Sequence, residues 1–299
     1  MKNKLLVSIS GPTAVGKTAV SILCGQHFGC EIISCDSRQF YKEIPIGTAQ
    51  PSADELAQVK HHFIGHLELE ETWSAATFEQ EAKQLMATKD LGPFNLVVGG
   101  SGLYLKALQY GLDEIPEVPK QLREELNAEL QNHGIVTLQK KLAELDPDYY
   151  REVDIQNPQR IIRALEVCLH TKKPYSSFRK QNSETQFPLL NIALEMDRDL
   201  LYERINKRVE KMFALGLEEE ARAVFPKRQL NSLNTVGYKE LFAHFEGQLS
   251  LDEAKELIKQ NTRRFAKRQM TWLRRQPNLH WFRASQKHEV LSLIEKRLQ

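Results

Sequence analysis

Leu5-Leu6-Val7-Ser8-Ile9-Ser10-Gly11-Pro12-Thr13-Ala14-Val15-Gly16-Lys17-Thr18 is the stretch on which the fold turns. It opens with a short apolar run and continues as G-x-x-x-x-G-K-[ST] at residues 11 to 18, ahead of a helical pattern. Strand, glycine-bounded turn and helix in that order make a phosphate loop (P-loop). Glycines let the backbone curl so that successive N–H groups face one concave spot. The helix N-terminus adds a partial positive charge there, and Lys17 adds a whole one. Thr18 can offer its hydroxyl to a Mg²⁺ ion bridging phosphate oxygens. Gly11, Thr13, Ala14, Val15, Gly16, Lys17 and Thr18 are therefore candidate ligands of a di- or triphosphate, most simply of a bound nucleotide such as ATP. The loop alone leaves open which phosphate it holds and what becomes of it.

Outward from the loop, Thr18 to Phe28 reads as a helix with Gly29 as its C-cap. Glu31 to Asp36 reads as a strand, Ala75 to Lys89 as a helix, and Asn95 to Val98 as a buried strand closed by Gly99-Gly100. Strands alternating with helices predict an α/β fold, a P-loop parallel sheet flanked by helices. Ligands of such a sheet lie beyond the carboxyl ends of its strands, where the loop, Asp36 and Gly99–Ser101 should converge. Around Ile115–Pro119 the character changes, and residues 120 to 180 are helical in pattern. Asn191 to Met196 reads as a strand again, Leu200 to Val224 as one long helix, and the final third as helical. The expected organisation is a catalytic core of residues 1–112 and 190–299, with a helical insertion domain over 113–189.

Composition adds limits. Of 299 residues, 41% are hydrophobic and 27% charged, with a net charge of +2. No apolar run approaches the roughly 20 residues of a membrane span. A cleaved signal peptide would destroy the phosphate loop, so a cytoplasmic protein is expected. Cys24, Cys30, Cys35 and Cys168 match no metal spacing and read as small buried hydrophobes in a reducing compartment. From Lys259 to Arg283 there are eight Lys or Arg and no acidic residue, interleaved with Phe265, Trp272, Trp281 and Phe282. That stretch suits phosphate contacts with base stacking, or equally a solvated helix face with an apolar underside.

Single residues carry further readings. Asp36, beside bound phosphate, could hold Mg²⁺ through water, act as a general base, or merely cap a turn. The strand 95–98 ends in glycines rather than in the acid that orients Mg²⁺ in many phosphate-loop ATPases, which disfavours plain ATP hydrolysis. His61-His62 suit hydrogen bonding or the core better than a metal. Asn157 reads as an N-cap with Pro158 at the first helical position. Arg160 and Arg163 then share a face, able to grip phosphates or to pair with Asp154 and Glu166.

Taken in order, these markers resemble the tRNA dimethylallyltransferases nearly end to end. They are the loop Gly11–Thr18, Asp36–Tyr41, Ile46–Pro51, His61–Ile64, Val98–Tyr104, Asp154–Glu166, Leu233–Tyr238 and Asn261–Gln269. The resemblance implies transfer of a dimethylallyl group from dimethylallyl diphosphate to an adenosine beside the anticodon, with Mg²⁺. It implies Asp36 as the base for the adenine amine and Ser101 beside that amine or the bridging oxygen. Lys17, Thr18 and Arg208 would stabilise the departing diphosphate. Ser37, Arg38, Gln39, Arg123, Gln159, Arg160, Arg163, Arg263, Arg264 and Arg268, with Asp36 and Ser101, would contact the tRNA anticodon stem-loop. A monomer is expected, with no membrane partner. Three positions depart from the family pattern: Ser101 stands for a common Thr, Gln50 for a usual Lys, and Gly65 for a common Asp. The rival readings are a nucleoside-phosphate kinase, prenyl transfer to free adenine nucleotides, and a non-catalytic nucleotide switch or RNA-binding module.

Overall fold

The computed structural model describes residues 4–179, 185 and 187–299. Residues 1–3, on which part of the N-terminal reading rests, and the end of the helical pattern at 180–184 and 186 lie outside the described residues. The first unit runs β1 (Leu6–Ser10), α1 (Lys17–Phe28), β2 (Ile32–Ser34), α2 (Ala53–Gln58), β3 (His61–His62), α3 (Ala75–Thr88), β4 (Asn95–Gly99) and α4 (Gly102–Tyr110). The chain then forms α5 (Lys120–His133), α6 (Ile135–Leu145), α7 (Pro147–Glu152) and α8 (Pro158–Thr171). It returns as β5 (Leu189–Glu195), α9 (Arg198–Ala214), α10 (Leu217–Val224), α11 (Tyr238–Phe245), α12 (Leu251–Leu273), β6 (Leu279–Arg283) and α13 (Lys287–Leu298). Two compact units result, one made of Met1–Gly111 with Thr185–Gln299 and the other of Leu112–Glu184.

In the first unit six strands form one sheet in the order β3-β2-β4-β1-β5-β6, and every pairing is parallel. The expected α/β class is what the chain adopts. Alternation along β1 explains its continuous burial: Leu6 enters the core on one face of the sheet, Val7 and Ile9 the core on the other. A parallel sheet is covered on both faces, so its strands read as unbroken apolar runs. Ser8 and Ser10, on the face of Leu6, are buried too. Ser8 donates to Asn191 Oδ1 at 2.8 Å, which also accepts from Gln109 Nε2 at 2.7 Å, while Ser10 donates to the Ile192 carbonyl.

Two expectations fail here. The final third is not wholly helical, because Leu279–Arg283 adds β6 beside β5. Its sequence, Leu-His-Trp-Phe-Arg, is partly exposed at the sheet edge, so no buried-strand pattern marks it. The helix expected from Leu200 to Val224 breaks at Gly216, whose φ of 98° belongs to the left-handed region. The helical unit has its own core, in which Leu126, Leu138, Leu142, Ile161 and Leu165 meet. Asn157 Oδ1 accepts from the Arg160 amide at 3.3 Å, which makes it the N-cap of α8 with Pro158 behind it. Among the described residues no helix is long and apolar enough to cross a membrane.

One close approach fixes how β2 meets β4. A Cβ on Gly99 would stand 1.9 Å from the Cys35 carbonyl oxygen. Gly29, by contrast, needs glycine only for its φ of 64°, with open space around it. Gly99→Ala should therefore cost about 3 kcal/mol or more, and Gly29→Ala about 1 kcal/mol, as read from urea unfolding. Equal costs at the two sites would contradict this packing.

Candidate active site

The carboxyl ends of β1, β2 and β4 deliver three segments to one place. After β1 the phosphate loop wraps from Gly11 to Gly16, where a φ of 110° at Gly16 opens α1. A left-handed residue at that point is available to glycine without steric cost. Ala14 also takes a positive φ, 64°, and the Val15 amide donates to the Pro12 carbonyl at 3.3 Å within the turn. The Lys17 ammonium donates to the Gly11 and Pro12 carbonyls at 3.0 Å each. Val15 turns its side chain into the core and is fully buried, so only its backbone belongs to the cradle.

Two cavities open from this edge, of about 730 Å³ and about 480 Å³. The first is walled by Thr13, Ala14, Gly16, Lys17 and Thr18 on one side, and by Ile46, Ile64, Met212 and Leu215 elsewhere. Away from the loop its wall is mixed, with these apolar side chains beside Gln39, Gln50, Glu55, Arg204, Arg208 and Lys211. The second is walled by Ser37, Arg38, Ser101, the Asn234–Gly237 loop, Phe265 and Arg268. Asp36, Thr13 and Arg208 line both. A reactant in either cavity has these three residues at the boundary with the other.

The boundary is braced by hydrogen bonds. Asp36 Oδ1 accepts from the Arg38 amide at 3.2 Å. Ser101 Oγ accepts from the Ser37 amide at 2.9 Å and donates to Ser37 Oγ at 3.2 Å. Arg208, largely buried on α9, donates to Thr13 Oγ1 and to the Ala49 carbonyl, both at 3.4 Å. Burial pushes the Lys17 ammonium down to about 8, with Asp36 opposing the shift and Arg208 adding to it. Burial lowers Arg208 as well, against the pull of Asp36 and Glu55. Crowded, partly desolvated cations of this kind are stabilised by a bound polyanion.

Sequence reasoning missed several of these residues. Arg204 and Lys211 stand with Arg208 at i, i+4 and i+7 on one face of α9, and all three line the first cavity. That spacing was readable as a basic stripe, but nothing in the sequence aims it at the loop. Gln269 on α12, 8% exposed, accepts from the Thr13 amide at 2.8 Å. That amide is thereby engaged by protein rather than left for a phosphate.

Other expected contacts have internal partners. The Arg38 guanidinium donates to the carbonyls of Asn231, Ser232 and Asn234. Gln39 Nε2 holds the Thr48 and Ala49 carbonyls. Arg263 donates to Asn206 Oδ1 at 2.7 Å, and Arg264 to Asn261 Oδ1 at 3.2 Å. Arg268 is exposed and lies 5.7 Å over the Phe265 ring, so the basic aromatic stretch keeps one such pair at the second cavity. In the helical unit Arg123 grips the buried Glu166 with two bonds of 2.8 Å, and Arg163 pairs with the same carboxylate. Gln159 and Arg160 are exposed on α8. His61 donates from Nδ1 to the Val59 carbonyl and His62 pairs with Glu31, the hydrogen-bonding roles expected of them. All four cysteines are buried, and burial pushes the thiols of Cys24 and Cys30 up to about 12.

Comparison with known proteins follows the same lines. The family model described as IPP transferase matches residues 39–276. The chain belongs to the IPP transferase family. A tRNA dimethylallyltransferase of Christiangramia forsetii is 50% identical, covering 98% of each chain. The solved tRNA isopentenylpyrophosphate transferase of Bacillus halodurans superposes with a TM-score of 0.73 at 34% identity, covering 99% of this chain and 97% of that one. A eukaryotic dimethylallyltransferase acting on tRNA gives a TM-score of 0.75 at 27% identity, covering 90% and 70%.

Two departures from the IPP transferase pattern meet in space. A Cβ on Gly65 would stand 3.3 Å from Gln50 Oε1. Gln50 donates to the Gln39 and Tyr41 carbonyls at 3.0 and 2.7 Å.

The Lys17 shift makes a signed prediction. Burial holds the ammonium's pKa at about 8, and an anion in the loop would raise it. Inorganic diphosphate should then bind with proton uptake and weaken as pH rises, by up to about tenfold per pH unit. Calorimetry from about pH 7 to about pH 9.5 reads this, with Lys17→Arg, whose charge persists, as the reference that removes the ligand's own titration. Parallel profiles for the two proteins would refute the shift.

Proposed function

We propose that the protein transfers the dimethylallyl group of dimethylallyl diphosphate to the exocyclic amine of the adenosine 3′-adjacent to the anticodon of tRNA. The products are isopentenyladenosine and diphosphate. The observation that carries this reading is the pair of cavities sharing Asp36, Thr13 and Arg208. A donor with a charged head and an apolar tail suits the first. The second, with Phe265 and Arg268 at its wall, suits a nucleobase flipped out of its stack.

The chain's residues divide the work accordingly. The loop amides, Lys17 and Arg208 hold the diphosphate and receive the negative charge that grows as the C–O bond breaks. Asp36 accepts the proton from the adenine amine as its nitrogen forms the new bond to the allylic carbon. The electron pair of the broken bond leaves with the diphosphate. Ser101, fixed by the Ser37 amide, offers its hydroxyl beside the amine or the bridging oxygen. Thr18 and Asp36 present hard oxygen donors in the first cavity, a donor set that fits Mg²⁺. When bound there, Mg²⁺ would neutralise phosphate charge. Arg268, Lys267 and Arg264, exposed on α12, would meet the tRNA backbone, as would Gln159 and Arg160 of the helical unit. A monomer acting in the cytoplasm is the simplest setting.

Incubation with labelled dimethylallyl diphosphate, Mg²⁺ and either unmodified tRNA or AMP tests the reading. Label should enter tRNA alone; label in AMP alone, or in neither, would refute it. Asp36→Ala should lower turnover by about 10² to 10⁴, with tRNA affinity within about threefold of wild type by filter binding.

A further inference from the structure

The transfer proposed above needs two segments from different strands to stay in register. One is the phosphate loop after β1, carrying the leaving group. The other is the turn after β4, carrying Ser101. A single side chain from a third element joins them. Gln269 Oε1 accepts from the Thr13 amide at 2.8 Å, while its Nε2 donates to the Gly100 carbonyl at 3.1 Å. The amide cannot be turned around, because a flipped group would set donor against donor and acceptor against acceptor.

The surroundings are shaped to admit this bridge. A Cβ on Gly100 would stand 2.3 Å from Gln269 Nε2, and one on Gly102 would stand 2.6 Å from the Trp272 ring. Gln269 and Trp272 are three residues apart on α12, so one face of that helix lies over the whole turn. The neighbouring Lys267 and Arg268 are exposed on the same helix, and Arg268 lines the second cavity. Gln269 is well buried, so its amide is not needed for solvent contact and would be costly to leave unpaired.

We infer that Gln269 is a positioning residue for the transfer, setting the diphosphate cradle and Ser101 in register from the basic helix. This rests on the prenyl-transfer reading. Its expected worth follows from geometry: a displacement of about 1 Å between reacting groups can cost about 10²-fold in rate.

Gln269→Met keeps the volume and removes both hydrogen bonds, and it supplies the test. In single-turnover and steady-state assays with tRNA, kcat should fall about 30- to 100-fold, with KM for the donor rising less than about fivefold. The tRNA dissociation constant should stay within about twofold, and the thermal midpoint should show a folded protein. Gln269→Asn, too short to reach both loops, should fall likewise and serves as the reading if the Met variant does not fold. A folded variant with kcat within about threefold of wild type would overturn the inference. Loss of tRNA binding in step with kcat would also overturn it, since Gln269 would then act only through the surface of α12. Failure of the wild-type protein to label tRNA is a separate result, and it would remove the prenyl-transfer reading itself.

Discussion

The parallel pairing of β2 with β4 and of β4 with β1 ends three strands at the same edge of one sheet. From that edge each chain segment leaves in the same direction, which is why the phosphate loop, Asp36 and Ser101 become neighbours although the sequence separates them widely. The pairing depends in turn on Gly99, where no side chain fits beneath the Cys35 carbonyl. The same contact lets the Ser101 amide bond to that carbonyl at 3.3 Å. Small residues at the end of β4 are thus a condition for the site to exist.

Charge at this edge is deliberately unbalanced. Lys17, Arg204, Arg208 and Lys211 face the first cavity, opposed by Asp36 and Glu55. Desolvation raises the cost of keeping these cations, and the depressed Lys17 records that cost. A multiply charged anion in the loop would offset it.

Many basic residues that suggest RNA contact are occupied within the protein. Arg38 ties β2's following turn to the Asn231–Asn234 carbonyls, and Arg123 and Arg163 neutralise the buried Glu166. Glu166 is the buried member of both pairs, so removing Arg123 and Arg163 would leave its carboxylate uncompensated, and such substitutions would report on folding before they reported on binding. Arg268, Arg264 and Arg160 are exposed and make no ion pair with Glu166.

The sequence by itself determined the phosphate loop, the α/β class, the helical character of the insertion and the caps at Gly29 and Asn157, because each is a local pattern of period, spacing or backbone freedom. It also carried the family resemblance, since the markers keep their order along the chain. It missed β6, whose edge position leaves only a partial apolar signal, and the break at Gly216, which a glycine inside a helical run does not oblige. The partnership of Gln269 with Thr13 and Gly100, the aim of Arg204 and Lys211 at the loop, and the meeting of Gln50 with Gly65 were decided only by tertiary structure. Each joins residues far apart in sequence, and no local rule states which helix face will be laid over which loop.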